Sequence, residues 1–303
     1  MKLYRFAGYV LAMAALVFSC KPENPDSPAT PDSPATPDTP ATPDTPDTPD
    51  TPDEQACGKV LSQILVTRDT YYESQYLYNI SRDDKGRVVR VSEQNNGNEE
   101  ERMDISYTGQ SVKLVWRYGN HDGEGFFEPE VYTWNMKEGL ANDGTYYVQG
   151  ATLDMSFSFD KKNYIQGLSI KGKVNVEEFQ GDIDYTFQFN WFDGDLVTVK
   201  FAEFMTGESD DEEVGEIRYG SRACQSAELG WILVCLPDYA MIPLPFLLDC
   251  LGSTGITHLP TRYTNGGTTY DFEYRYDADD YVKQVVMTRN RSDVTTISFS
   301  YEE

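Results

Sequence analysis

Apolar and polar residues alternate along the chain from residue 59 to its end. "DMSFSFD" (154–160), "DYTFQFN" (184–190), "YDFEYRYD" (270–277) and "TTISFSYEE" (295–303) place large apolar or aromatic side chains on one parity. Ser, Asp, Gln, Thr or Arg fill the other. A period of two sends the two sets to opposite faces of an extended chain, so each stretch predicts a strand with one buried face. Turn pairs such as Lys85-Gly86, Thr108-Gly109, Asp193-Gly194 and Gly266-Gly267 punctuate the alternation at short intervals. The pattern predicts roughly fourteen strands and almost no helix before residue 225. The expected fold is all-β: a large antiparallel meander sheet curled into a barrel-like or half-barrel shape.

Three stretches share one template: Asp83 to Val91, Asp160 to Leu168 and Asp277 to Val285. Each begins with Asp, carries Gly, Asn or Asp three positions later, and then places aliphatics at the sixth and ninth positions. Such a unit reads as a hairpin. The Asp caps the turn, the fourth residue tolerates a left-handed backbone, and the aliphatics start the return strand. Lysines occupy the acid positions of the second copy, which favours turn chemistry over a calcium loop.

"SAELGWILVCLPDYAMIPLPFLLDCLGSTGITHLP" (226–260) breaks the alternation. Ser226 predicts the cap of a short helix running to Leu236. Pro245 predicts the opening of a second, closed by Gly252, so a helical insert is expected at about 226–252. Pro237, Asp238, Pro243, Pro245 and Asp249 interrupt its greasiness and leave no clean span of about twenty residues. The insert is therefore expected to bury itself against the curled sheet. A sharper alternative makes it the lid of an apolar pocket.

The N-terminal part obeys other rules. Lys2 and Arg5 precede an apolar run from Phe6 to Ser19, too short to cross a bilayer and typical of a secretory signal. Val17-Phe18-Ser19-Cys20 is similar to a bacterial lipobox, which makes residues 1–19 a lipoprotein signal peptide and Cys20 the lipidation site. Pro22 to Asp53 repeats Pro-Asp-Thr and Pro-Ala-Thr with nothing to bury. It is expected to stay unfolded and biased to polyproline II. At about 3.1 Å per residue it reaches on the order of 100 Å. Residues 20–56 thus read as a lipidated, disordered tether and 57–303 as a single all-β domain. The expected location is the outer membrane, with the cell surface favoured over the periplasmic face.

Of fifty acids and twenty-five bases, eight and three lie at or before Asp53, leaving 42 against 22, a net −20 for the rest. That field disfavours nucleic acid as a partner. Cys57, Cys224, Cys235 and Cys250 remain for possible disulfides in an oxidising compartment, with three pairings open. No Cys-x-x-Cys occurs and His121 and His258 are the only histidines, so neither metal nor cofactor is expected.

The "GRVVRV" and "YRYDADDYVKQVVM" hairpins, "ISYTGQSVKLV" (105–115) and the insert ending "THLPTRY", in this order, resemble the lipoprotein family called domain of unknown function 4595. The resemblance covers roughly residues 57–303. It implies a porin-like fold and a lipid-anchored protein of Bacteroidetes type, and brings no known activity. The hairpin units are also similar to the tyrosine-aspartate repeats of large secreted toxin shells.

No Gly-x-Ser-x-Gly surrounds a serine, and no phosphate-cradling loop or dinucleotide fingerprint occurs. "ESDDEE" (208–213) reads as a solvated loop tip. Twenty-one tyrosines and four tryptophans are the notable surplus. Most are expected in the core, while Phe127, Tyr132, Trp134, Trp191 and Trp231 are candidate ligand contacts, because such rings pair an apolar face with a polar handle. The expected function is a non-enzymatic, lipid-anchored binding or interaction module whose partner is a glycan or a surface protein. The alternative is a periplasmic carrier or chaperone holding an apolar ligand under the 226–260 insert. A carboxylate-based hydrolase stands last.

Overall fold

A computed structural model describes residues 59–69, 74–95, 97–119, 126–175, 180–206, 211–238 and 244–302. The signal peptide, Cys20, the tether, Cys57, His121 and residues 207–210 lie outside the described residues.

Sixteen strands form one closed antiparallel barrel. They begin with β1 (Val60–Asp69), β2 (Ser74–Arg82), β3 (Val88–Asn95), β4 (Asn98–Thr108), β5 (Ser111–Tyr118) and β6 (Glu130–Lys137). Next come β7 (Leu140–Val148), β8 (Ala151–Phe159), β9 (Ile165–Asn175), β10 (Gln180–Phe192), β11 (Asp195–Met205) and β12 (Asp211–Ala223). The last four are β13 (His258–Asn265), β14 (Thr268–Tyr276), β15 (Val282–Arg289) and β16 (Asp293–Glu302). Every strand pairs with its neighbours in sequence, and β16 returns to pair with β1 from Val60–Glu302 to Asp69–Val294. The expected meander is therefore present, with sixteen strands and full closure.

The alternation decides what faces where. On β8, Ala151, Leu153 and Met155 are buried, while Thr152, Asp154, Ser156 and Ser158 are exposed. The outer wall carries cross-strand ion pairs, among them Arg90–Asp104 at 2.7 Å, Lys171–Asp184 at 2.8 Å and Arg262–Asp271 at 2.6 Å. An outer-membrane barrel shows the reverse pattern, with an apolar band outside and a polar lumen.

Sixteen strands enclose more space than strand side chains alone fill. The insert occupies it. Helix α1 (Ala227–Cys235) is capped by Ser226, whose Oγ accepts from Leu229 N at 3.1 Å. A 3₁₀ turn (Leu236–Asp238) follows, and then α2 (Leu244–Cys250). All residues of α1 from Leu229 to Cys235 are buried. A helix apolar on every side has to be surrounded, and this one packs inside the barrel as a plug.

The three Asp turns adopt one geometry. Asp83 Oδ1 accepts from Lys85 N and Arg87 N, both at 3.0 Å. Asp160 accepts from Lys162 N and Tyr164 N at 2.8 and 3.0 Å. Asp277 accepts from Asp279 N and Tyr281 N, both at 2.9 Å. The fourth residue of each template is left-handed: Gly86, Asn163 and Asp280 have φ of 76°, 66° and 69°. A second regularity runs round the same end. Tyr107, Trp191, Tyr219, Tyr274 and Tyr301, each near the end of an even-numbered strand, donate to the carbonyls of Val88, Ile165, Leu196, Pro260 and Val282 at the start of the preceding odd one. Arg82 does the same for Leu61. In β2, β10 and β12 the register shifts at this donor, and such a bulge re-aims the side chain inward.

Candidate functional site

The plug is stitched to the turns at one end of the barrel. Arg82, at the end of β2, pairs with Glu228 of α1 at 2.5 Å. Tyr107 Oη lies 3.2 Å from Cys250 Sγ. Ala141 N donates to Leu251 O at 2.9 Å, and Thr254 bonds the carbonyls of Lys162 and Asn163 in the β8–β9 turn. Gly252, at φ 78°, approaches the β6–β7 turn so closely that a Cβ there would lie 2.0 Å from Gly139 O. His258 opens β13. Its N and Nδ1 both meet the Asp195 carboxylate at 2.8 Å. Lys59, where the described chain enters, reaches Asp277 and Asp279 at this same end.

Buried charge at the seat shifts toward neutrality. Burial raises the Glu228 carboxyl despite Arg82, and burial, reinforced by Glu228, pushes Asp249 up to about 7. Burial also pushes the Cys224 and Cys250 thiols up to about 11 and about 12. A thiol held protonated is a poor nucleophile.

The opposite half of the interior holds a different constellation. Tyr78, Glu93, Glu101, Trp116, Glu130, Tyr132 and Tyr146 all take the inward parity of β2 to β7. Register sets Tyr78 opposite Glu93, Glu93 opposite Glu101, Trp116 opposite Glu130, and Tyr132 opposite Tyr146. Tyr132 and Tyr146, stacked with centroids 4.4 Å apart, donate to Glu130 Oε2 at 3.0 and 2.5 Å. Trp116 Nε1 donates to Glu101 Oε2 at 3.2 Å. Burial pushes Glu130 up to about 7, the two tyrosine donors offsetting only part of it. Burial also raises the Glu93–Glu101 pair, and each residue's neighbouring glutamates add to the rise. Arg68, over the ring of Tyr76 at 5.3 Å, opposes this at Glu93. Directly opposed like charges destabilise a sheet unless one is neutral, so burial and repulsion together favour the protonated form of this wall. Chemically the cluster can hold a proton. Its second role is structural, as a buried network wrapped by aromatic rings.

The five aromatic residues expected at a ligand platform do not form one. Tyr132, Trp134 and Trp231 are buried on the inward face. Trp191 is half-buried, stacked on Tyr164 at 4.6 Å and edge-on to Trp231 at 5.8 Å. Phe127 is half-buried against Tyr118 at 5.2 Å. The reason is parity: Tyr132, Trp134 and Trp191 share the inward register of the core, closure turns that face to the inside, and Trp231 is buried there on the plug. Phe126, Phe192 and Phe204 are the large aromatics left exposed among the described residues, on three separate segments. Cys224, Cys235 and Cys250 are joined by no disulfide to one another, and Cys57 lies outside the described residues. No group of three or more His, Cys, Asp or Glu side chains among the described residues is arranged to hold a metal ion.

The glutamates went unnoticed in the sequence, although a signal exists. Val91-Ser92-Glu93, Glu101-Arg102-Met103 and Glu130-Val131-Tyr132 each place an acid on the parity that carries the core.

No protein-family model and no curated protein matches the chain. Solved structures do. A porin-like protein from Bacteroides vulgatus ATCC 8482 is similar at TM-score 0.50 and 14% identity, over 81% of this chain and 99% of that one. A porin-like protein from Bacteroides uniformis ATCC 8492 is similar at TM-score 0.53 and 12% identity, over 80% of this chain and 98% of that one. At such identities the likeness shows the fold, an all-β barrel.

Proposed function

We propose that this porin-shaped barrel is neither a pore nor an enzyme, but a binding module lipidated at Cys20 and held at the outer membrane, on the cell surface. It belongs on this reading with the lipoprotein family called domain of unknown function 4595. The observation that carries the proposal is the wall. Ion pairs cover its outside, and an apolar core with a helical plug fills its inside, so it needs neither bilayer nor lumen and is held by the lipid on Cys20. Lys59 enters at the plugged end, which turns the opposite rim away from the anchor. A glycan or a surface protein binding there meets the rim first. With the plug seated, the cavity beneath it is about 30 Å³, a water's share of the liquid, and this weighs against bulk carriage of a lipid.

Protease shaving of intact cells, with a known periplasmic lipoprotein as control, tests the proposal. Loss of the barrel from unbroken cells is expected. Full protection until the outer membrane is opened sinks the surface assignment, and retention of a Cys20→Ala chain in the membrane fraction sinks the lipid anchor.

A further inference from the structure

The ion pairs of the outer wall are unevenly placed. They join β3 and β5 to β4 through Asp104, β9 to β10, β11 to β12, and β13 to β14. The seam side differs. Gln63 to Thr67 of β1 lie between Val294 to Ser300 of β16 and Gln75 to Ser81 of β2, and every outward residue of these stretches is uncharged. Register lines up Gln284, Ser298, Leu65, Leu77 and Gln94 in one row across five strands, β15 to β3 through the seam. Exposed Arg275 and Glu99 bound that row at its two ends. With strands about 4.8 Å apart the bare band is on the order of 20 Å wide. Leu65 and Leu77, directly opposed and half-buried, form its apolar centre.

Such a band is out of character for a chain with 42 acids against 22 bases after Asp53. A sugar ring finds no aromatic face on it, because Tyr76, Tyr78, Phe299 and Tyr301 of the same strands pack against the core. A bilayer would meet Thr, Ser, Gln and Asn there instead of an apolar band. An uncharged strip suits a body of the same negative charge, since two such walls can touch without setting acid against acid.

We propose that this band is the contact between two copies of the chain, packed wall to wall about a two-fold axis over Leu65. Leu65 is the middle of the five-residue row and of the bare stretch of β1. In such an isologous contact the leucines meet their counterparts at the centre, and Thr67, Gln75 and Thr296 supply hydrogen bonds around them. Two convex walls touch along a strip, so the area is at the low end for specific contacts and the pair is weak in free solution. Copies confined to one membrane meet at a far higher effective concentration. The contact itself stands without the anchor and leaves both rims free.

Sedimentation equilibrium of the full chain carrying Cys20→Ala, in reductant and over roughly 10 µM to 1 mM, tests the contact. A dimer is expected within that range, tightening as salt screens the repulsion between the two net charges. Leu65→Glu enters a two-fold contact twice, so the dissociation constant should rise more than about tenfold. Thr296→Glu repeats the test if Leu65→Glu fails to fold. Thr152→Glu, exposed on β8 across the barrel, is expected to change nothing. An equimolar mixture of Leu65→Glu and Leu65→Lys is expected to pair again, which a merely damaged wall does not do. A monomer throughout the range, equal weakening by Thr152→Glu, or no recovery in the mixture overturns the contact.

Discussion

Glu130→Gln separates charge from shape at the buried glutamate wall. Glu130 is 4% exposed and serves as acceptor for two tyrosine hydroxyls, a role that the Gln carbonyl oxygen retains. Its carboxyl is raised from 4.5 to about 7 in the fold, so the folded chain holds this proton more tightly than the unfolded one. The associated stability is fully present below the unfolded value and is lost as pH rises through the folded one. That gap corresponds to about 3 kcal/mol lost between pH 4.5 and pH 8. Urea unfolding followed by tryptophan fluorescence at both pH values provides the measurement. At pH 4.5 the variant should match the wild type within about 1 kcal/mol, and at pH 8 it should exceed it by about 3 kcal/mol. Glu93 and Glu101 push in the same direction, so the variant keeps a residual slope. A difference that stays constant across pH, or shrinks as pH rises, refutes the claim that burial of charge sets the behaviour of this wall.

Gly252→Ala should cost more than about 2 kcal/mol, because the site combines a left-handed backbone with an approach to Gly139 O that a methyl cannot share; urea midpoints and new protease cuts within 226–258 report it. Arg82→Met strands Glu228 and should cost about 3 kcal/mol, while adding Glu228→Gln recovers most of the loss; full additivity in this double-mutant cycle would contradict the pairing. Tyr274→Phe, which strips one donor from the ring of carbonyl caps, should cost about 1 kcal/mol with an unchanged denaturant slope.

Local rules made much of this fold legible. The Asp83, Asp160 and Asp277 turns behave as their template predicts, because side-chain capping and a left-handed fourth residue are decided within five positions. Ser226 caps α1 for the same reason. Helix α2 starts at Leu244, one residue ahead of the expected Pro245, and Gly252 ends it. Closure was not legible, because alternation states which face is buried but not which strand the last one meets. That gap misplaced the aromatics: Trp134 and Trp231 look available until the sheet curls and the plug enters. The glutamates at 93, 101 and 130 were hidden by number, since most other acids face water and an inward one stands out only by parity.

The seam between β1 and β16 joins Val60 to Glu302, positions 242 apart in the chain. Of all the contacts in the barrel it spans the longest loop, so its closure is entropically the costliest and kinetically the latest. A chain synthesised N-terminus first presents β1 as an unsatisfied edge until its final hairpin arrives. Truncation before Asp293 would therefore do more than remove a strand. It would leave β1 and β15 as two open margins, each able to recruit another chain, and turn a self-contained ring into a seed for assembly.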